Sequence, residues 1–116
     1  MVLQPWRTAT VIKIDSSAQN IKRFWIQVPG LPSFDFIPGQ FITLDLPIHE
    51  KLNKRIRSYS IASWPDGTNI LEFVIVLKDG GTGTNYLFTK VEVGTELLFR
   101  GPLGVFVLDE EDLKKE

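Results

Sequence analysis

Strict alternation over residues 70–77 (ILEFVIVL) constrains the fold more than any other feature of the chain. Leu71, Phe73, Ile75 and Leu77 fall on one face of an extended segment, and Val74 and Val76 make much of the other. A period of two belongs to a β-strand with one face turned to a core. Five further stretches carry the same signature in weaker form: residues 6–14, 21–28, 40–46, 55–63 and 96–100. Phe24, Ile26 and Val28 share a face in one of these, and Ile42, Leu44 and Leu46 in another.

What separates the stretches supports the same reading. Residues 15–20 are a polar turn, and residues 29–39 contain Pro29, Pro32 and Pro38, which deny a central strand its donors. Pro47 stops the third strand, and residues 49–54 form a charged connection. Pro65-Asp66-Gly67 and Val93-Gly94-Thr95 are turns, and residues 78–84 form a glycine-rich loop. Only residues 85–90 read as a helix inside the fold. The expected architecture is all-β: a six-stranded antiparallel Greek-key barrel with one short helix, because closure removes strand edges in a small β domain. Residues 1–108 are expected to form one domain, and residues 109–116 a charged tail.

Composition excludes several classes. The 116 residues include 13 Lys and Arg against 14 Asp and Glu, a formal net charge of -1, which argues against a nucleic-acid binder. The chain has no cysteine, so disulfides, thiol catalysis and thiolate-held clusters are excluded on it. Its one histidine, His49, reads as a loop residue and leaves little scope for a metal site, so none is expected. No apolar run approaches the ~18 residues of a membrane span, and the N-terminus lacks a signal-peptide pattern. The expected location is cytoplasmic.

Two stretches combine residue types that suit a ligand. In RIRSYSIAS, residues 55–63, Arg57 and Tyr59 share a strand face, a cation beside an aromatic ring, and Ser60 adds a hydroxyl. On a straight strand Ser58 and Ser60 face the other way, so Ser60 reaches the same ligand only where the strand twists, bulges or ends. The second stretch runs through Gly80, Gly81, Thr82, Gly83 and Thr84 into the expected helix. Glycines admit close backbone approach, Thr84 or Asn85 is placed to cap the helix, and the first amides of a helix attract phosphate. The loop is neither a Walker A motif nor a Rossmann fingerprint, and alone it reads first as a structural turn and only second as a ligand site. Together, two anion-binding devices and a flat ring suit a pyrophosphate that carries an aromatic ring system.

Four motifs in order carry a resemblance: PGQF at 38–41, RSYS at 57–60, the 81–84 turn running into Tyr86 and Leu87, and GPLGVF at 101–106. With these, residues 6–106 closely resemble the flavin-binding barrel of the ferredoxin–NADP reductase superfamily. The resemblance implies FAD as cofactor, with FMN in fewer members. It assigns Arg57 to the flavin pyrophosphate, Tyr59 to the isoalloxazine face and Ser60 to the neighbourhood of flavin N5, with Ser58 beside them. It assigns Gly81, Thr82, Gly83 and Thr84 to the phosphates, and the backbone of Val76 and Lys78 to the pyrimidine edge. Ser60 is then the catalytic residue.

In that family an NAD(P)-binding domain follows the barrel. Here the sequence turns to DEEDLKKE at about that point, so the nicotinamide site is expected on a missing or separate domain, with residues 109–116 as a linker toward it. The expected partners are that domain and an unnamed electron acceptor. A non-enzymatic barrel that binds a nucleotide or a partner protein is the alternative. Trp6, Trp25 and Trp64 read as packing or lid residues, and His49 as a loop residue, with contact to an adenine or ribose as its lesser reading.

Overall fold

All six expected strands form, and every pairing between them is antiparallel. The structure, a computed structural model, describes residues 5–104; the charged tail, with Val105 and Phe106 of GPLGVF, lies outside the described residues. The strands are β1 (Arg7–Ala18), β2 (Ile21–Gln27), β3 (Phe41–Asp45), β4 (Ile56–Ser60), β5 (Ile70–Val76) and β6 (Glu96–Leu103). They lie in one sheet in the order β4-β3-β6-β1-β2-β5, so sequence neighbours and sheet neighbours differ in the Greek-key manner.

Alternation places the core as expected. Phe24, Ile26 and Val28 of β2, Ile42, Leu44 and Leu46 in and after β3, and Leu71, Phe73 and Ile75 of β5 are all buried. Trp25 and Arg23 face outward, where Lys13 stands 4.6 Å over the Trp25 ring and Arg23 pairs with Glu72 at 3.6 Å. The proline-rich segment 29–39 is irregular, yet it delivers Phe34 and Phe36 into the core. Phe34 meets Phe99 edge-to-face with ring centroids 5.8 Å apart, the arrangement that aromatic quadrupoles favour.

The sheet departs from the expected barrel in one respect: it is not closed. Its edge strands β4 and β5 share no ladder. Past the end of β4, the Ala62 amide donates to the Glu72 carbonyl at 2.8 Å, so the edges approach there and no regular pairing follows. Two short helices form among the described residues where one was expected. The charged connection includes α1 (Leu52–Arg55), and α2 spans Thr82–Thr89, three residues earlier than its sequence signal. β1 runs through the expected turn at 15–18, with register shifts between Val11 and Lys13 and between Asp15 and Ala18 that absorb the irregularity.

Two of the four motifs work on each other. The Gln40 carboxamide accepts from the Ile37 amide at 2.8 Å and donates to the Gly104 carbonyl at 2.9 Å, joining PGQF to GPLG. Gly101 has a φ of 145°, and a Cβ there would lie 3.1 Å from Ile42 Cγ2 and 3.2 Å from the Phe41 carbonyl oxygen. Only glycine fits that crossing.

Helix α2 is held at both ends. Leu87 inserts fully into the core, and Lys22 of β2 donates to the Phe88 carbonyl at 2.8 Å, a cation at the negative end of the helix. At the other end the Thr84 hydroxyl accepts from the Lys78 amide at 3.0 Å. We expect Leu87→Ala to lower unfolding free energy in urea by ~2–5 kcal/mol, the usual cost of removing a buried leucine. A loss under about 1 kcal/mol would mean that α2 is not anchored in the core.

Candidate functional site

The open seam between β4 and β5 is where the two ligand-suited stretches meet. β4 carries Arg57 and Tyr59 on the face shared with Leu44 and Ile42, their direct partners on β3. α2 begins alongside. Gly83 is buried against Arg57: a Cβ at position 83 would lie 2.9 Å from Arg57 Cγ and 3.1 Å from its Nε. The glycine is there for close approach rather than for flexibility. Arg57 and Thr82 together line a cleft of about 380 Å³, whose other walls are Ile48, His49, Asn53 and Lys54.

Arg57 is aimed by its own backbone neighbourhood. Its Nη1 donates to the carbonyls of Ile56 at 2.8 Å and Lys54 at 3.1 Å. Nη2 and Nε have no hydrogen-bond partner among the described residues and present a donor fork. Arg55, two residues earlier, is engaged differently. Its Nε donates to the Asp45 carboxylate at 2.6 Å and its Nη1 to the Glu50 carbonyl at 2.9 Å, so it ties α1 to β3.

The start of α2 adds further donors. Gly81 is the N-cap and its amide is used, donating to the Lys78 carbonyl at 2.8 Å. The amides of Thr82, Gly83 and Thr84 belong to the first turn and have no intrahelical acceptor. Thr84 and Asn85 lie inside the helix, so neither is its cap. Instead the Thr84 hydroxyl locks the loop to Lys78 and donates to the Gly81 carbonyl at 3.3 Å, and Asn85 Nδ2 donates to the same carbonyl at 2.8 Å. Thr82 is therefore the hydroxyl residue lining the cleft. Two free guanidinium nitrogens beside three free helix amides, with no carboxylate among the lining residues, fit a phosphate or pyrophosphate.

The remaining expected residues divide. Ser58 faces away from the cleft and shares a hydrogen bond of 3.2 Å with Thr43 on the outer surface of the sheet. Ser60 is exposed, and β4 ends at it, which meets the condition set by strand geometry. On β5 the Glu72 carbonyl accepts from Ala62 and the Glu72 amide donates to Ser63 Oγ at 3.2 Å. Because backbone direction alternates, the N–H and C=O groups of Val74 and Val76 point to the same unpaired edge. The Lys78 amide is engaged by Thr84. Trp6 lies 4.4 Å beneath the Arg100 guanidinium, while Trp64 is 75% exposed. Ile48, Asn53 and Lys54 were not legible as site residues; their one signal was a charged run just before the arginine motif.

Tyr59 is half-buried, and that burial pushes its phenol above the ordinary value of 10.0 while the Arg57 guanidinium partly offsets the rise. The neutral phenol is thus favoured by folding. Its contribution to stability is present in full below the unfolded value and is lost as pH rises through the folded one. In a Tyr86→Phe background, phenolate absorbance should titrate with a midpoint above 10.0, and Arg57→Ala should raise that midpoint further. An unchanged midpoint on removing Arg57 would show that the two groups do not interact.

Comparisons with known proteins bear on the family and the fold. The chain is 35% identical over 103 residues to the electron transfer component of anthranilate 1,2-dioxygenase from Acinetobacter baylyi, covering 89% of this chain and 26% of that protein. It superposes on the crystal structure of the Amycolatopsis cytochrome P450 reductase GcoB with a TM-score of 0.76 and 29% identity, covering 97% of this chain and 33% of that one. A ferredoxin NADP+ reductase from Neisseria gonorrhoeae, solved with bound FAD and NADP, superposes with a TM-score of 0.70 and 25% identity, covering 88% of this chain and 39% of that one. The chain thus spans about a quarter to two fifths of these relatives' lengths. Residues 8–108 match the family described as the oxidoreductase FAD-binding domain. The chain belongs to that family, the flavin-binding domain of ferredoxin reductase-like proteins.

Proposed function

We propose that this domain holds FAD for electron transfer between a nicotinamide nucleotide and a separate acceptor, in the cytoplasm. The observation that carries the reading is the meeting of Arg57 with the first turn of α2 in one cleft. The free guanidinium nitrogens and the amides of Thr82, Gly83 and Thr84 bind the pyrophosphate. Tyr59 offers its ring to the isoalloxazine, and Ser60, where β4 ends, donates to the reactive edge and orients it. The backbone groups of Val76 face the pyrimidine side. Ser58 has no part in this, since it is on the opposite face. When bound, FAD supplies the redox chemistry, accepting hydride and passing electrons onward.

The nicotinamide nucleotide and the acceptor belong to a domain or chain outside these residues. Relatives support that division: one is named as the electron transfer component of a dioxygenase, and another was solved with both FAD and NADP. Membership in an oxidoreductase family favours this reading over a non-enzymatic barrel.

Incubating the purified chain with FAD and recording its absorption spectrum after gel filtration tests the reading. Retained flavin is expected. Arg57→Ala should weaken FAD binding about ten- to a hundredfold, the loss of one or two charge-assisted bonds. Arg55→Ala should lower the thermal midpoint, because Arg55 bonds Asp45 and Glu50, and leave FAD affinity nearly unchanged. Equal losses of affinity from both variants would replace the specific role of Arg57 by general electrostatics.

A further inference from the structure

We propose that the acidic run at residues 109–112 (DEED) straps back over the outer face of the sheet and sets a carboxylate on Arg100. The seat is a row of side chains that the flavin site does not use. Thr43 of β3 stands directly opposite Ser58 on β4 and directly opposite Arg100 on β6, so the three project side by side from one face. That face is the outer one, because the strand neighbours Ile42, Leu44 and Phe99 are buried. Trp6 extends the row beyond Arg100, with its ring 4.4 Å from the guanidinium.

Arg100 is a half-buried cation without an anion. Its Nε is buried and has no acceptor, and its terminal nitrogens have no hydrogen bond or ion pair among the described residues. Stacking on Trp6 offsets part of the cost of withdrawing the guanidinium from water but leaves its donors unmet. Asp45, one row along the same face, is already held by Arg55 at 2.6 Å. Glu96 lies four residues back along β6, about 13 Å away at the rise of a strand. Thr43 and Ser58 share one hydrogen bond of 3.2 Å, so one of the two hydroxyl protons stays available beside the guanidinium. A planar donor fork next to a hydroxyl suits a carboxylate.

Chain direction and charge name the occupant. β6 ends at Leu103, and Gly104, at a φ of 87°, turns the backbone out of the strand. Arg100 lies four residues before that turn, about 13 Å along the strand. Residue 109 follows the turn by five residues, a reach of up to about 17 Å. A chain that reverses at Gly104 therefore brings the start of the acidic run to Arg100. The carboxylates at 109–112 are also the first after β6. Seated there, the run fixes the direction in which the chain leaves the sheet.

Thermal unfolding of the 116-residue chain beside a set of variants tests this. They are Arg100→Gln, the neutralised tail Asp109→Asn/Glu110→Gln/Glu111→Gln/Asp112→Asn, and the two combined. At low salt the neutralised tail should lower the midpoint by about 4–8 °C. In the Arg100→Gln background it should lower the midpoint no further. The Arg100 Nε–H resonance, assigned by its loss in Arg100→Gln, should shift when the tail is neutralised. Additive losses, or an unmoved resonance, would overturn the docking. A coupling that grows with protein concentration would put the acidic run of a second copy on Arg100 and overturn the intrachain strap. Neither measurement involves FAD, so the flavin reading is untouched by either result.

Discussion

The two edge strands of the sheet, β4 and β5, approach each other without pairing, and the rest of the site follows from that gap. A strand edge is a row of unmet donors and acceptors that a fold must cover or use. Here one backbone bond, Ala62 to Glu72, draws the edges together at one point. Beyond it α2 lies at the opening, anchored by Leu87 in the core and by Lys22 at its carbonyl end. The gap is therefore a slot with a cation on one rim, helix amides beside it and a free β-edge on the other. Closing the barrel with a regular β4–β5 ladder would remove the slot.

Arg57 shows how sequence, packing and electrostatics converge on one side chain. Carbonyls of Lys54 and Ile56 hold one of its terminal nitrogens. The missing side chain of Gly83 lets its stem lie against α2. Its charge also reaches Tyr59, where it works against the burial that raises the phenol. The position two residues earlier has the same side chain and a different task, because Asp45 lies beside it on β3.

Much of this was legible in the sequence because it is local. Alternation marked six strands and their buried faces, and residue types marked Arg57, Tyr59 and the glycine-rich turn. What was not legible depended on neighbours distant in sequence. Phe34 and Phe36 sit in a segment whose prolines exclude a strand, yet both are buried in the core. Gly83 reads as a loop residue, since nothing local shows that Arg57 takes the place of its side chain. Thr82 and Thr84 look alike in sequence, but Lys78 engages the hydroxyl of Thr84, and Thr82 is the one that lines the cleft. Ser58 was grouped with its motif neighbours, although period-two geometry already turned it to the outer face, where Thr43 meets it. The open seam was not legible, because alternation marks strands and says nothing about whether the two edge strands, β4 and β5, pair.

A crystal structure of the chain with FAD bound measures the central claim directly. The account predicts the pyrophosphate between Arg57 and the amides of Thr82, Gly83 and Thr84, with oxygens at ordinary hydrogen-bond distances of about 2.7–3.2 Å. A pyrophosphate held elsewhere, with Arg57 bonded only to the carbonyls of Lys54 and Ile56, would contradict it.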